Sequence, residues 1–198
     1  APDAYLLVVE RKRREGEVDR FQWFCPKCDA LLHEVKAVVD VCCTSANAVK
    51  IVNALPAQHI LFVPDEHLGD YVQRESTKTV ISWNGNCYVH HQITADSIRQ
   101  VKEALPNVRV LVHPECRADV IALADAVLST SGMVRYAKQS DADEFLVVTE
   151  CGLSDRLLVE VPEKKFYKAC KLCQFMKMIT LDGTLRALLA TIRTLPCS

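Results

Sequence analysis

The sequence predicts an α/β fold: two repeated α/β units with parallel sheets, preceded by a short β segment. Three observations lead there. From about Val38 onward, short apolar runs alternate with helical stretches. The two halves of that region match each other at an offset of 85 to 86 residues. The first 34 residues keep a different rhythm, strand-like on either side of Cys25-Pro26-Lys27-Cys28.

The elements follow in order. Residues 4–10, 20–24 and 30–35 read as strands, with a charged turn over 11–19 that contains Gly16. Beyond the knuckle, strands are expected at 59–63, 108–112, 126–128 and 145–148. Helices are expected at 46–54, 94–105, 118–124, 132–139, 153–159 and 181–193. Asp96 and Ser97 sit in a first helical turn, where capping chemistry favours them.

The repeat aligns Thr44-Ser45-Ala46-Asn47 with Ser129-Thr130-Ser131-Gly132, and Asp40 with Asp125. Phe62-Val63-Pro64-Asp65 aligns with Val147-Val148-Thr149-Glu150, and Cys87 with Cys173 to within one residue. The two copies run from about 22 to 105 and from 106 to 190.

Composition narrows the class. The 198 residues are 49% hydrophobic and 25% charged, with a formal net charge of -1. That is ordinary for a globular protein and gives no reason to expect a nucleic-acid or membrane-surface partner. No apolar run has the length of a membrane helix and no stretch reads as a secretory leader, so a cytoplasmic location is expected. The outlier is ten cysteines. In that setting disulfides are disfavoured, and cysteines pack, ligate metal or act as nucleophiles.

Three constellations can carry chemistry. The first is the pair of hydroxyl-rich turns, Thr44-Ser45 and Ser129-Thr130-Ser131-Gly132, each opening a helix. They can serve as plain N-caps or as paired anion sites. The second is His113-Pro114-Glu115-Cys116 after the strand at 108–112, at the carboxyl end where α/β sheets bind ligands. His113 and Glu115 could act in proton transfer or form a structural hydrogen bond. The third is Cys87, in Trp83-Asn84-Gly85-Asn86-Cys87, with Cys173, in Cys170-Lys171-Leu172-Cys173. Thiolates suit iron–sulfur clusters or zinc, although a single Cys-x-x-Cys does not complete a zinc site.

These motifs, together with Val38-Val39-Asp40-Val41-Cys42-Cys43-Thr44-Ser45 and Cys173-Gln174-Phe175-Met176-Lys177-Met178-Ile179-Thr180-Leu181, resemble the quinolinate synthase family in the right order, from about 35 to 189. The resemblance implies three similar α/β domains about a pseudo-threefold axis, each giving one cysteine to a [4Fe-4S] cluster. It implies an enzyme of NAD biosynthesis that condenses iminoaspartate with dihydroxyacetone phosphate to quinolinate, with an iminoaspartate-supplying L-aspartate oxidase as a possible partner. On the matching positions, Cys87 and Cys173 are the cluster ligands of the second and third domains. His113 and Glu115 contact substrate and assist proton transfers, and Ser45 and Thr130 hold carboxylate or phosphate groups. The domains expected are 35–105 and 106–198, with the family's first domain missing. The family's Tyr and Asn before the Thr-Ser turn are replaced by Cys28 and Ala30.

Residues 1–34 are different. Val8-Val9-Glu10-Arg11-Lys12-Arg13 and Phe21-Gln22-Trp23-Phe24-Cys25-Pro26-Lys27-Cys28 resemble the tail of bacterial 3-hydroxyanthranilate 3,4-dioxygenase. There a Cys-x-x-Cys knuckle helps hold a mononuclear iron, which implies Fe or Zn at Cys25 and Cys28. The junction near residues 33–36 falls inside a strand-loop-helix unit. A truncated or recombined chain is therefore expected, with a non-catalytic metal-binding fragment or a dioxygenase-related fusion as alternatives.

Overall fold

Arg109–Val112 and Glu144–Val148 are short, almost wholly apolar runs, and both form strands buried on their two faces. Continuous rather than alternating hydrophobicity is what a central parallel strand requires. The computed structural model describes residues 5–6, 22–24, 31–34 and 40–194. Two units separate, Ala1–Cys42 and Cys43–Ser198.

In the first unit, β1 (Tyr5–Leu6), β2 (Gln22–Phe24) and β3 (Leu31–Glu34) form an antiparallel sheet in that order. Trp23 pairs with Leu6 on one side and His33 on the other. The strands fall inside the three stretches expected. Cys25 and Cys28 lie outside the described residues.

The second unit begins with α1 (Ala48–Ala54), β4 (His59–Phe62), α2 (Glu66–Arg74), β5 (Thr79–Ser82), α3 (Tyr88–His91) and α4 (Ala95–Ala104). It continues through β6 (Arg109–Val112), α5 (Ala118–Ile121), β7 (Ala126–Val127), α6 (Thr130–Gln139), β8 (Glu144–Val148) and α7 (Gly152–Glu160). It closes with β9 (Lys165–Lys168), α8 (Gln174–Lys177) and α9 (Leu181–Thr194). Alternating helices and parallel sheets give the α/β class expected. Helices α2, α3 and α8 and strands β5 and β9 add to the elements expected from the sequence. The two strand runs, such as Lys-Phe-Tyr-Lys in β9, are short and polar at the ends, so only pairing with β4 and β8 makes them strands.

The larger sheet runs β7-β6-β8-β9, all parallel. Side chains alternate across it. Val110, Val112, Leu146 and Val148 face a layer containing Ile98 of α4 and Val120 of α5. Leu111, Phe145 and Val147 face Met133 and Ala137 of α6 and Leu157 of α7. The smaller sheet is the parallel pair β4-β5. Phe62 packs with Ala48, Val52, Leu68 and Val72, while Leu61 and Ile81, opposite each other in register, are 69% and 54% exposed. By the repeat, β4-β5 corresponds to β8-β9. Counterparts of β6 and β7 are absent from this smaller sheet among the described residues.

One expectation is overturned. Cys151 and Cys170 form a disulfide, their Cα atoms 5.2 Å apart. The reason is local: Glu150 and Lys171 pair as a parallel bridge, and the Cys151 N–H donates to the Lys171 carbonyl. The strand extension therefore brings the two cysteines to bonding distance.

Candidate functional site

The two cysteines singled out by the repeat occupy equivalent positions. Cys87 is the N-cap of α3 and Cys173 the N-cap of α8. The Cys87 N–H donates to Asp65 Oδ2 at 2.5 Å, and the Cys173 N–H donates to Glu150 Oε1 at 3.3 Å. Each carboxylate also takes an N–H from the helix that follows its strand, Leu68 onto Asp65 and Gly152 onto Glu150. Asp65 and Glu150 are nearly buried and lie 85 positions apart, at the repeat offset. Burial raises Asp65 above its ordinary value, against the two backbone donors that lower it. A carboxylate thus fixes the backbone of each cysteine turn, while the Cys173 sulfur pairs with the Tyr88 hydroxyl and the Cys87 sulfur with His90.

Tyr88 joins the two turns. Its hydroxyl accepts the Gln174 N–H at 2.9 Å, and its ring meets Phe175 edge-on at 5.7 Å. Desolvation raises the phenol above its usual range, with Cys173 as hydrogen-bond partner and Cys87 nearby adding to the rise.

Behind Cys87 lies a compact titratable group. His90, on α3, stacks on His113 with ring centroids 4.6 Å apart. His90 Nε2 meets Thr149 Oγ1 at 3.0 Å, and its Nδ1 lies 3.1 Å from Glu115 Oε2 as an ion pair rather than an aligned hydrogen bond. His113 follows β6 and donates its N–H to the Val148 carbonyl. Its Nδ1 accepts the Glu115 N–H at 3.4 Å, which leaves Nε2 as the protonated nitrogen of the neutral ring. Cys116 is fully buried against the Val148 carbonyl.

The electrostatics separate the members. Burial alone would lower His90, but Cys87 and Glu115 outweigh it and push it up to about 9. Burial lowers His113 to about 4, and the charge of His90 adds to that. Burial would raise Glu115, yet the ion pair with His90 and the charge of His113 hold it below its ordinary value. Near neutrality the arrangement is a cationic His90, a carboxylate Glu115 and a neutral His113: an anchored pair beside a polarised ring. Burial pushes the Cys116 thiol up to about 12, so it packs as an inert residue.

The two hydroxyl turns differ. Ser129 caps α6, its Oγ accepting the Gly132 N–H, while Thr130 is the first helical residue and is exposed. At the other turn, Asn47 Oδ1 accepts from the Thr44 N–H and hydroxyl, and Ser45 sits half-buried beside it. Plain side-chain capping therefore falls to Ser129 at α6, whereas Asn47, at the N-cap of α1, turns its side chain back to Thr44.

Sequence reasoning missed His90, Thr149, Tyr88 and the Asp65/Glu150 pair. The spacing Cys87-x-x-His90 and the alignment of Asp65 with Glu150 were the available signals. Among the described residues, two groups of side chains could hold a metal ion: Cys87, His90 and Glu115, and, apart from the site described so far, Glu66, His67 and His91.

The sequence profile described as Quinolinate synthetase A protein matches residues 31–195. The chain belongs to this family. A quinolinate synthase of Methanosarcina barkeri is 46% identical over 194 residues, covering 94% of this chain and 62% of the relative. One of Thermodesulfovibrio yellowstonii is 50% identical over 158 residues, 78% of this chain and 52% of the relative. One of Clostridium novyi is 48% identical over 147 residues, 73% and 49%. The chain thus spans between 49% and 62% of the length of these curated relatives. The Quinolinate synthetase A match begins three residues after Cys28. Among the described residues, no helix is long and apolar enough to cross a membrane.

Proposed function

We propose that this chain carries the second (35–105) and third (106–198) domains of a cytoplasmic quinolinate synthase of NAD biosynthesis, with Cys87 and Cys173 as two thiolate ligands of a [4Fe-4S] cluster. The observation that carries the reading is the pair of equivalent cysteine turns, each fixed by a buried carboxylate and joined to the other through Tyr88. Two soft sulfurs with fixed backbones fit an iron–sulfur group, and the third cysteine belongs to the part of the family's length that this chain does not span. When bound, the cluster supplies a Lewis-acidic iron.

The chain's own residues hold and move protons around that position. Glu115, kept ionised by His90, accepts a proton from iminoaspartate or dihydroxyacetone phosphate. The neutral His113 offers its Nε2–H to a substrate oxygen. The Thr130 and Ser45 hydroxyls receive carboxylate or phosphate oxygens. An L-aspartate oxidase would supply the unstable imine. An Fe or Zn ion on Cys25 and Cys28 belongs to the same proposal; Cys25→Ser lowers the metal content of the purified chain if it holds.

Anaerobic reconstitution with iron and sulfide tests the cluster. Iron and sulfide in equal amounts, with a broad visible absorption lost in both Cys87→Ser and Cys173→Ser, is the expected result. A second reading has its own support, since Cys87, His90 and Glu115 offer ligand atoms within 4.8 Å of one another. A mononuclear ion there would bring iron without sulfide, depend on Cys87 and ignore Cys173. That outcome, or no bound iron, overturns the cluster.

A further inference from the structure

The proposed cluster leaves one metal-ligating group unused. Next to His90 on α3, the exposed His91 meets His67 of the first turn of α2. His67 Nε2 and His91 Nδ1 are 2.8 Å apart, and the rings lie nearly parallel. Glu66 Oε1 stands 3.8 Å from the same His67 nitrogen and is held there by Asn86 Nδ2 at 2.8 Å. The Glu66 N–H donates to the Gly85 carbonyl, so both the main chain and the carboxylate of this residue are fixed before any ion arrives.

We infer that Glu66, His67 and His91 form a second metal site, for a borderline divalent ion of the zinc class, independent of the cluster reading. The donor set decides the class. Two imidazoles and one carboxylate suit zinc and its neighbours, and they leave a fourth position for water, which solvent-exposed His91 makes available. Ligand nitrogens at about 2.0–2.1 Å on a tetrahedral ion lie about 3.4 Å apart, so the rings part by roughly half an ångström on binding. The proton now shared between the two rings moves to the outer nitrogen of its own ring, which frees both inner nitrogens to ligate. Asn86 orients the carboxylate, the kind of outer contact that tunes metal affinity. The ion would clip the start of α2 to the end of α3. Asp65 already tethers Cys87 along the same seam, so the clip would brace the turn that presents Cys87.

Titration of the full chain with Co²⁺ under thiol-free reducing conditions tests the site. In a Cys25→Ser/Cys28→Ser background, one equivalent is expected with ligand-field absorption and no sulfur charge-transfer band, and it is retained when Cys87→Ser is added. His91→Ala and His67→Ala each lose it, and Glu66→Gln weakens it about tenfold or more. His91→Ala removes an exposed side chain, so helical circular dichroism should be unchanged. Zn²⁺ should raise the melting temperature of the parent chain and leave that of His91→Ala where it is. Undiminished Co²⁺ binding in both histidine variants, or loss of the same equivalent in Cys87→Ser, overturns the site.

Discussion

Lowering the pH from about 6.5 to about 5 protonates His113 in the unfolded chain before it protonates in the fold. Burial holds the folded value at about 4, against an ordinary 6.5. Because the folded value is the lower one, the associated stability is complete above 6.5 and drains away as pH falls toward 4. At about 1.4 kcal/mol per pH unit the whole gap is worth about 3 kcal/mol, and about 1.5 kcal/mol of it is spent by about pH 5. His90 runs the other way. Its folded value of about 9 stabilises fully below 6.5, and that contribution is lost as pH rises. Glu115, held low, loses its contribution only in stronger acid. The metal-free chain should therefore be most stable near pH 6 to 7, falling on both sides. Urea unfolding at several pH values, with His113→Asn beside the parent, isolates the acid limb. The variant should lose about 1.5 kcal/mol less than the parent between about pH 6.5 and 5. Parallel losses in the two proteins would refute the assignment of that limb to His113.

Other perturbations reach other parts of the fold. Removing the Cys151–Cys170 bridge, 19 residues apart in sequence, with reductant or as the double alanine variant, should cost about 3 kcal/mol in urea unfolding. An unchanged midpoint would show that the bridge carries no stability. Leu146→Ala empties a fully buried position on β8 and should cost about 2 to 5 kcal/mol in the same assay. In Gly69→Ala the new methyl overlaps Ser82 Oγ and comes within 3.3 Å of Phe62. A loss of about 1 to 3 kcal/mol is expected, partly recovered by adding Ser82→Gly; no recovery would place the strain elsewhere.

Much of this was written locally in the sequence. The continuous apolar runs of β6 and β8 announce central parallel strands, and the helices at 94–105 and 132–139 appear within two residues of α4 and α6. The equivalence of Cys87 and Cys173 was legible because a duplicated unit repeats its spacing. His90 was not legible. Its role comes from Thr149 and Glu115, 59 and 25 positions away, and from a burial that no local pattern reveals. The disulfide was hidden for a similar reason, since Cys170 pairs across the strand extension with Cys151 and not with its near neighbour Cys173. Glu66 and His91 are likewise 25 positions apart, and only the packing of α2 on the 85–91 turn makes them neighbours.

The unequal completeness of the two sheets bears on how the molecule breathes. Amides of β6 and β8, sealed between helical layers, should exchange with solvent only on near-global opening. Those of β4 and β5, with Leu61 and Ile81 bare on one face, should exchange through smaller and more frequent openings. Cys173 extends from the slow-exchanging half and Cys87 from the fast one. A ligand bridging both sulfurs would lend the protection of one half to the other. Deuterium uptake after iron–sulfide loading should fall over 79–91 far more than over 144–148, and equal changes would mean that the two halves open together.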